Sequence, residues 1–166
     1  MTFSEDVYRF MYSALQEAEK GFDINEVPVG AVVVYRNKII GRGYNQVEML
    51  KDPTAHAEMI AITAAANFLN SWRLNECDLY VTMEPCIMCA GALISARINN
   101  LYFSVFDPKF GACGSILNLC EEKKLNHGVK VYSGIYSQES EILLKNFFEK
   151  LRNEKSNGNE KYKSKG

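Results

Sequence analysis

Two short apolar strands with a helix between them follow one another between residues 77 and 105. Residues 77–83 and 100–105 have the length and side chains of buried strands, and residues 86–96 have those of a short helix. A strand, a helix and a strand in this order form a βαβ unit, with parallel strands and a right-handed crossover. Because a parallel sheet needs helices on both faces, this unit predicts an α/β fold.

An antiparallel hairpin is predicted before this unit. Residues 29–35 and 38–44 are rich in β-branched side chains and are separated by Arg36 and Asn37, which is typical of two strands joined by a tight turn. A last strand is expected over residues 129–133. The sequence therefore predicts a three-layer α/β/α domain around a five-stranded mixed sheet, with the antiparallel hairpin at one side and the parallel strands at the other.

Helices are predicted on either side of these strands. Ser4 is placed to cap an amphipathic helix that ends near Gly21, and Thr54 to cap an alanine-rich helix through Leu69. Residues 45–53 are expected to form a polar loop, and residues 115–123 a short helix. A closing helix is predicted over residues 138–152, with these apolar side chains facing inward: Ile142, Leu143, Phe147, Phe148 and Leu151.

The 166 residues are sufficient for one core, so we expect a single domain over residues 1–152. The net charge of −1 gives no overall attraction to a polyanion. Six cations and only two carboxylates occupy residues 150–166, so we expect residues 153–166 to be a basic, flexible tail. Such a tail is either an arm that meets nucleic acid or a solvated terminus.

No apolar run approaches the roughly 18 residues of a membrane span, and the first residues do not resemble a signal peptide. We therefore expect no contact with a membrane and a cytoplasmic location. The five cysteines are an odd number, and two of them form a Cys-x-x-Cys pair that suits a metal or redox site better than a disulfide framework.

Four chemically active residues stand at the starts of two predicted helices. His56 and Glu58 open one helix, and Cys86 and Cys89 open the helix of the βαβ unit directly after Pro85. The two cysteines are three residues apart and therefore share a helix face. At a helix N-terminus the dipole lowers the pKa of a thiol and favours the thiolate that binds zinc.

One histidine and two cysteines supply three ligands for zinc. Three protein ligands leave the fourth tetrahedral position to water, as in a catalytic zinc site. Glu58 then lies where a carboxylate can accept a proton from that water. The alternative is a redox pair of cysteines beside a βαβ unit, but such a pair does not require His-x-Glu at another helix start. We therefore expect a catalytic zinc site.

These two motifs together resemble the signature of the zinc-dependent nucleoside and nucleobase deaminases. Longer segments are similar to bacterial tRNA-specific adenosine deaminases, from about residue 5 to residue 152. The segments are residues 25–31, 43–45, 52–58, 79–86 and 107–115. In the last of them, Phe110 and Cys113 depart from the smaller or more polar residues expected there.

The resemblance implies a cytidine deaminase-like fold and a homodimer that acts on the anticodon stem-loop of a tRNA. The implied reaction is the hydrolytic deamination of adenosine to inosine at the wobble position. At the matching positions His56, Cys86 and Cys89 hold Zn²⁺. Glu58 is the proton shuttle for a zinc-activated hydroxide.

Five further residues match positions that contact the substrate in this family. Asn45 matches the residue whose amide holds the base or its ribose, and Asp107 lies in the loop that approaches the anticodon backbone. Pro28 and Val29 are expected to line the base pocket. Phe148 belongs to a pair of aromatic residues, one of which stacks on a splayed base. The alternatives are turns at Asn45 and Asp107, a plain strand start at Pro28 and Val29, and core packing of a phenylalanine.

Phosphate contacts must come from local cations, because the whole chain is slightly acidic. Arg42, Lys51, Lys109 and the basic tail are the predicted ones, although Arg42 and Lys51 are equally compatible with solvated loop charges.

Two rival functions stay open. A free-base deaminase, guanine deaminase above all, shares the zinc site, although residues 107–115 favour the tRNA enzymes. A non-catalytic zinc and RNA-binding subunit is the other, although it would have no need of Glu58.

Overall fold

The computed structural model describes residues 2–163, with side chains through residue 158. The strands are β1 Gly30–Tyr35, β2 Lys38–Tyr44, β3 Cys77–Met83, β4 Asn100–Val105 and β5 Lys130–Ser133. The α-helices are α1 Glu5–Asp23, α2 Val47–Leu50, α3 Ala57–Leu69, α4 Ile87–Ser95 and α5 Ser137–Lys163. A single 3-10 turn, Leu119–Glu121, takes the place of the short helix expected over residues 115–123.

The strands form one sheet in the order β2-β1-β3-β4-β5. Strand β1 pairs antiparallel with β2 and β3, whereas β3 pairs parallel with β4, and β4 with β5. The hairpin turn at Arg36 and Asn37 has positive φ at both residues, which suits the twist of a two-residue hairpin. The predicted mixed sheet, its hairpin and its βαβ unit are all confirmed.

Helices cover both faces of the sheet. Strand β1 shows the reason, because its side chains alternate between two apolar clusters. Ala31 and Val33 join the cluster beneath α3 and α4. Val32 and Val34 join the cluster beneath α1, which begins after the predicted cap Ser4. Helix α5 packs beside α1 and against β3 and β4. The predicted three-layer α/β/α architecture is therefore confirmed.

Helix α3 begins at Ala57, later than the sequence predicted, and Thr54 does not cap it. The amide and the hydroxyl of Thr54 both donate hydrogen bonds to the Asp52 carboxylate, at 2.8 and 2.7 Å, so Thr54 closes a turn of the preceding loop. His56 takes the N-cap position in an extended conformation. The late start of α3 therefore leaves His56 at the tip of the helix.

The loop over residues 45–53 contains the short helix α2, which the sequence analysis missed. The buried carboxylate of Glu26 accepts hydrogen bonds from the backbone amides of Glu48 and Met49, at 3.2 and 2.6 Å. Those amides belong to the first turn of α2 and have no partner within the helix. Glu26 therefore caps α2 from a distant part of the chain.

Helix α5 continues to Lys163, whereas the sequence predicted an end at Arg152. Residues 153–163 consist mainly of lysine, glutamate and asparagine, and no proline follows Pro108, so nothing in the chain forces the helix to stop. Part of the predicted tail is therefore helical, and residues 164–166 lie outside the described residues. Over residues 2–163, no helix is both long enough and apolar enough to cross a membrane.

The inward face of α5 is narrower than predicted. Phe147 is fully buried, but Ile142 is 58% exposed and Phe148 is 45% exposed. The buried side of the helix follows Ser140, Leu144 and Phe147, which recur at three and four residues. Ile142 lies on the opposite side of the helix and Phe148 lies beside that stripe, so the prediction that they face inward is wrong.

Two glycines of β2 allow α3 to lie close to the sheet. A Cβ atom at Gly41 would overlap the carbonyl oxygen of Ala61, and one at Gly43 would overlap that of Ala57. Ala57 is the first residue of α3 and follows His56 directly. The packing of β2 on α3 therefore positions the end of the helix that carries His56.

Candidate metal centre and active site

The starts of α3 and α4 bring three metal-binding atoms together. The Nδ1 atom of His56 lies 3.6 Å from the Sγ atom of Cys86 and 3.5 Å from that of Cys89. All three donor atoms lie within 4.8 Å of one another. A zinc ion bound tetrahedrally separates nitrogen and sulfur ligands by about 3.6 Å, given its usual bond lengths. These residues therefore form a group that could hold a metal ion, and their spacing fits zinc.

The local structure favours a thiolate at this site. Cys86 is the N-cap residue of α4 and is separated from the end of β3 by Glu84 and Pro85, and Cys89 lies in the first turn of the helix. The pKa of Cys86 is lowered to about 3, chiefly by a hydrogen bond from the Cys89 thiol and also by one from His56, although burial acts in the opposite direction. The pKa of His56 is raised mainly by the same contact with Cys86.

Glu58 shares this site with the three metal-binding residues. Its side chain is only 4% exposed, and it is close enough to His56, Cys86 and Cys89 for these three residues to affect its pKa. Burial raises the pKa of the Glu58 carboxyl, while its own backbone amide and the nearby His56 act against that rise. His56 and Glu58 are two residues apart and would diverge in mid-helix, so their meeting depends on the start of α3. The structure thus places a buried carboxyl beside the candidate metal centre.

Glu84 organises the loop next to this site, a role that no motif in the sequence predicted. Its carboxylate is buried and accepts hydrogen bonds from the backbone amides of Asp107 and Ser115, at 2.9 and 2.8 Å, and from the Ser115 hydroxyl. A Cβ atom at Gly111 would overlap this carboxylate. The same loop pairs with Cys86 through a bridge at Gly111. Glu84 therefore joins the loop to the metal centre.

Replacing Glu84 with alanine is expected to destabilise the protein by about 2–4 kcal/mol, because the backbone amides of Asp107 and Ser115 lose a buried, charged acceptor. Urea denaturation followed by circular dichroism measures the loss. Glu84→Gln keeps the shape of the side chain and is expected to recover part of the lost free energy of unfolding. Equal midpoints for the wild type and the alanine variant would show that the loop does not depend on this carboxylate.

The predicted base-pocket residues lie together at the start of β1. The backbone amide of Asn45 donates a hydrogen bond to the carbonyl oxygen of Val29 at 3.1 Å. The side chain of Asn45 donates to the Val27 carbonyl and accepts from the Val47 amide, both at 3.4 Å. Pro28 is buried, whereas Val29 and Asn45 are half-buried. The side chain of Asn45 thus takes part in the turn that follows β2.

Asp107 and Phe148 lie in different parts of the molecule. The Oδ1 atom of Asp107 accepts hydrogen bonds from the amides of Lys109 and Phe110, at 3.0 and 3.2 Å, which is the predicted turn before and around Pro108. Phe148 lies on α5, in the layer opposite α3 and α4, with its ring edge-on to Phe147 at 5.4 Å. Of the two rings, that of Phe147 packs in the core, as expected for one of them, whereas that of Phe148 is exposed.

Comparison with known proteins places this chain in a family. The family model described as MafB19-like deaminase matches residues 5–152. The chain is 49% identical over 144 residues to the tRNA-specific adenosine deaminase of Aquifex aeolicus (strain VF5), an alignment that covers 87% of this chain and 95% of that protein.

Solved structures agree with this assignment. One comes from a study of A-to-I editing by tRNA:A34 deaminases at the wobble position of transfer RNA; it is 43% identical, with a TM-score of 0.79, and the match covers 82% of this chain and 99% of that one. Guanine deaminase from Bacillus subtilis is 36% identical, with a TM-score of 0.58, over 63% of this chain and 66% of its own. The alignments cover more of the tRNA enzymes than of guanine deaminase, and the chain belongs to the tRNA-specific adenosine deaminase family.

Proposed function

We propose that this protein converts adenosine at the wobble position of a tRNA anticodon to inosine, with water consumed and ammonia released. One observation carries the proposal: a buried carboxyl, Glu58, lies beside the group formed by His56, Cys86 and Cys89 in a chain of this family. Residue types and spacing match what a zinc-dependent deaminase needs, namely three ligands and one proton carrier.

His56, Cys86 and Cys89 would hold Zn²⁺, since one imidazole and two thiolates suit this ion and its tetrahedral geometry. When bound, zinc lowers the pKa of a water at the open position to about 7 and thus supplies a nucleophile at neutral pH. The Cys86 thiol already favours the thiolate form, which is the form a metal ligand requires.

Glu58 moves the protons of the reaction. Its carboxylate accepts a proton from the attacking water and delivers it to the ring nitrogen next to carbon 6 of the purine. It then takes the proton of the hydroxyl group that has been added at carbon 6 and carries it to the exocyclic amine, which leaves as ammonia. Because Glu58 is buried, bulk water does not compete for either transfer.

Asn45, Pro28 and Val29 are proposed to form the pocket for the base. The buried Pro28 and half-buried Val29 offer apolar surface beside Asn45, and the backbone hydrogen bond of Asn45 to Val29 fixes the position of its main chain. Its side-chain contacts are long, at 3.4 Å, so the amide can exchange them for contacts with the base or its ribose.

The anticodon is proposed to pass along the loop that Glu84 holds. Asp107 and the exposed Lys109 lie on it, and the exposed ring of Phe148 offers a surface on which a base can stack. Lys51 is exposed and paired only loosely with Glu48, at 3.7 Å, so it stays a candidate for phosphate contact.

Arg42 is a weaker candidate for phosphate contact than the sequence suggested. Its guanidinium lies 3.6 Å from the buried carboxylate of Glu17, which also binds Lys20 at 2.8 Å. A phosphate at Arg42 would therefore have to compete with a carboxylate that is already in place.

A homodimer is proposed as the active form. Apolar side chains are exposed on α4 and on the loop that pairs with its start: Ile87, Phe110 and Ile116 are 61%, 70% and 55% exposed. Such side chains are typical of a surface that another protein covers. Sedimentation equilibrium would give the mass of the complex, and a monomer at micromolar concentration would contradict this part of the proposal.

The test is to incubate the zinc-loaded protein with a tRNA that has adenosine at the wobble position, and to detect inosine by reverse transcription and sequencing. Conversion confined to that position is expected. The Glu58→Ala protein serves as the matched control, because it should bind the same RNA without converting it.

Guanine deaminase is the second candidate, since its structure shares the fold at 36% identity. Free guanine in a parallel tube distinguishes the two functions through release of ammonia. Ammonia from guanine together with unmodified tRNA would replace the proposed function with that of the free-base enzyme.

Residues 1–152 are proposed to be the deaminase domain, and residues 153–166 a basic tail, of which the described part continues α5 to Lys163. Deleting residues 154–166 is expected to weaken tRNA binding and to reduce its salt dependence, by about 0.7 in the slope of log K against log salt for each lysine that contacts a phosphate. Filter binding at several salt concentrations measures both effects, and zinc content should not change.

A full-length control separates charge from helix length. It replaces these four residues with glutamine: Lys155, Lys161, Lys163 and Lys165. The same loss of affinity in the control and the deletion is expected. Unchanged binding of the deleted protein at every salt concentration would show that the tail does not contact tRNA.

A further inference from the structure

Cys113 and Cys120 form a second pair of thiols, which the proposed reaction does not use. Their Sγ atoms lie 3.6 Å apart, within reach of a thiol hydrogen bond. Both side chains are buried, at 3% and 2% exposure, and both thiols are free. Neither is a member of the metal-binding group. The fold thus brings together two reduced sulfur atoms outside the metal centre.

A short turn brings these thiols together. Cys113 pairs with Asn118 across an antiparallel bridge, and the amide of Leu119 donates to the carbonyl oxygen of Ala112 at 2.9 Å. Residues 114–118 between them are exposed. In one protomer the thiols therefore lie beneath a surface loop. Opening of that loop, which carries Ile116 of the proposed dimer surface, would admit a small reagent.

We propose that Cys113 and Cys120 are an oxidation site, which peroxide converts to a disulfide that slows the enzyme. One thiolate attacks an oxygen of hydrogen peroxide, breaks the O–O bond and becomes a sulfenic acid as hydroxide leaves. The other thiolate attacks that sulfur and releases a second hydroxide. The protons of the two thiols convert both hydroxides to water, so two thiols and one peroxide yield one disulfide and two waters.

The effect on activity follows from where the pair is attached. A disulfide holds its sulfur atoms about 2.05 Å apart, so the present separation of 3.6 Å must shrink by more than 1 Å. The neighbouring Ala112 amide donates to the carbonyl oxygen of Pro85 at 2.9 Å, and Gly111 pairs with Cys86. A shift of this segment therefore reaches the metal centre and the Asp107 loop. We expect turnover to fall by about tenfold, an expectation that rests on the proposed function.

The experiment treats the zinc-loaded full-length protein with hydrogen peroxide and then denatures it in N-ethylmaleimide without reductant. Trypsin cleaves after Lys109 and Lys123, so residues 110–123 form one peptide that contains both thiols and no other cysteine. Mass spectrometry is expected to find this peptide unlabelled and lighter by two hydrogen atoms. In a second sample, which is reduced before it is denatured and labelled, the same peptide should carry two labels. The reduced protein, assayed before denaturation, should recover its turnover.

Two variants serve as controls. Cys120→Ser cannot form the bond and should keep its turnover in peroxide, and its peptide should carry one label at Cys113. Cys77→Ala removes a buried thiol elsewhere and should respond to peroxide as the wild type does. Zinc content, measured by plasma mass spectrometry, should stay constant while the bond forms.

Several results would overturn the proposal. Two labels on the peptide at peroxide levels that oxidise free cysteine would show that the bond does not form. Loss of zinc before the peptide changes would place the oxidation at Cys86 and Cys89. A complete bond with unchanged turnover would separate it from the active site. The peptide map does not depend on turnover, so a failure of tRNA editing would defeat the proposed function and leave the disulfide test intact.

Discussion

Replacing Glu58 with alanine is expected to lower turnover of the tRNA substrate by about 10²–10⁴-fold, while zinc content and fold stay unchanged. Glu58 is the buried carboxyl at the candidate metal centre, and no other residue is proposed to accept the proton of the attacking water. Single-turnover conversion of a wobble-adenosine tRNA measures the effect. Plasma mass spectrometry measures zinc in the same sample.

Glu58→Gln is the matched variant for this experiment. It keeps the size and shape of the side chain but cannot carry a proton, so its turnover should fall as far as that of the alanine variant. A glutamine variant near wild-type activity would mean that Glu58 acts by shape alone. An active alanine variant would assign the proton transfer to another group.

Replacing Cys86 with alanine is expected to abolish both zinc binding and turnover. The change removes a sulfur that lies 3.6 Å from the His56 nitrogen, and two protein ligands hold zinc far less tightly than three. The expected result is metal-free protein, with turnover at the level of the uncatalysed reaction. Zinc content after dialysis and single-turnover conversion are the two measurements.

Cys77→Ala is the control for the loss of a cysteine. Cys77 is fully buried at the start of β3, away from the metal-binding group, so its removal tests the stability cost of losing a buried thiol. This variant should keep its zinc. A Cys86→Ala protein that retained zinc through dialysis would contradict the proposed ligand set.

The sequence is sufficient to predict the sheet and the metal-binding group because both depend on local patterns. A run of three valines, Val32 to Val34, marks β1. Cys86 and Cys89 are three residues apart and therefore share a helix face wherever the helix packs. The site at His56 is predictable for a related reason, because His56 and Glu58 can share a site only at a helix end.

The parts that the sequence did not predict depend on partners far along the chain. Glu26 caps α2 across 23 residues, and Glu84 holds Ser115 across 31. A buried glutamate in a single sequence does not reveal which amides it will accept from. Helix α5 was predicted too short for a different reason, since the charged residues after Arg152 are as compatible with a solvated helix as with a coil.

The contact of Gly41 and Gly43 with α3 has a consequence for how this enzyme can change over time. A substitution at either glycine would push the helix outward and carry His56 with it, although neither glycine belongs to the metal-binding group. Selection on catalysis should therefore reach into the middle of a strand that supplies none of the candidate metal ligands. The substitutions that β2 tolerates would then depend on how closely its backbone packs against the backbone of α3. A search for catalytic positions that considers only reactive side chains would overlook both glycines.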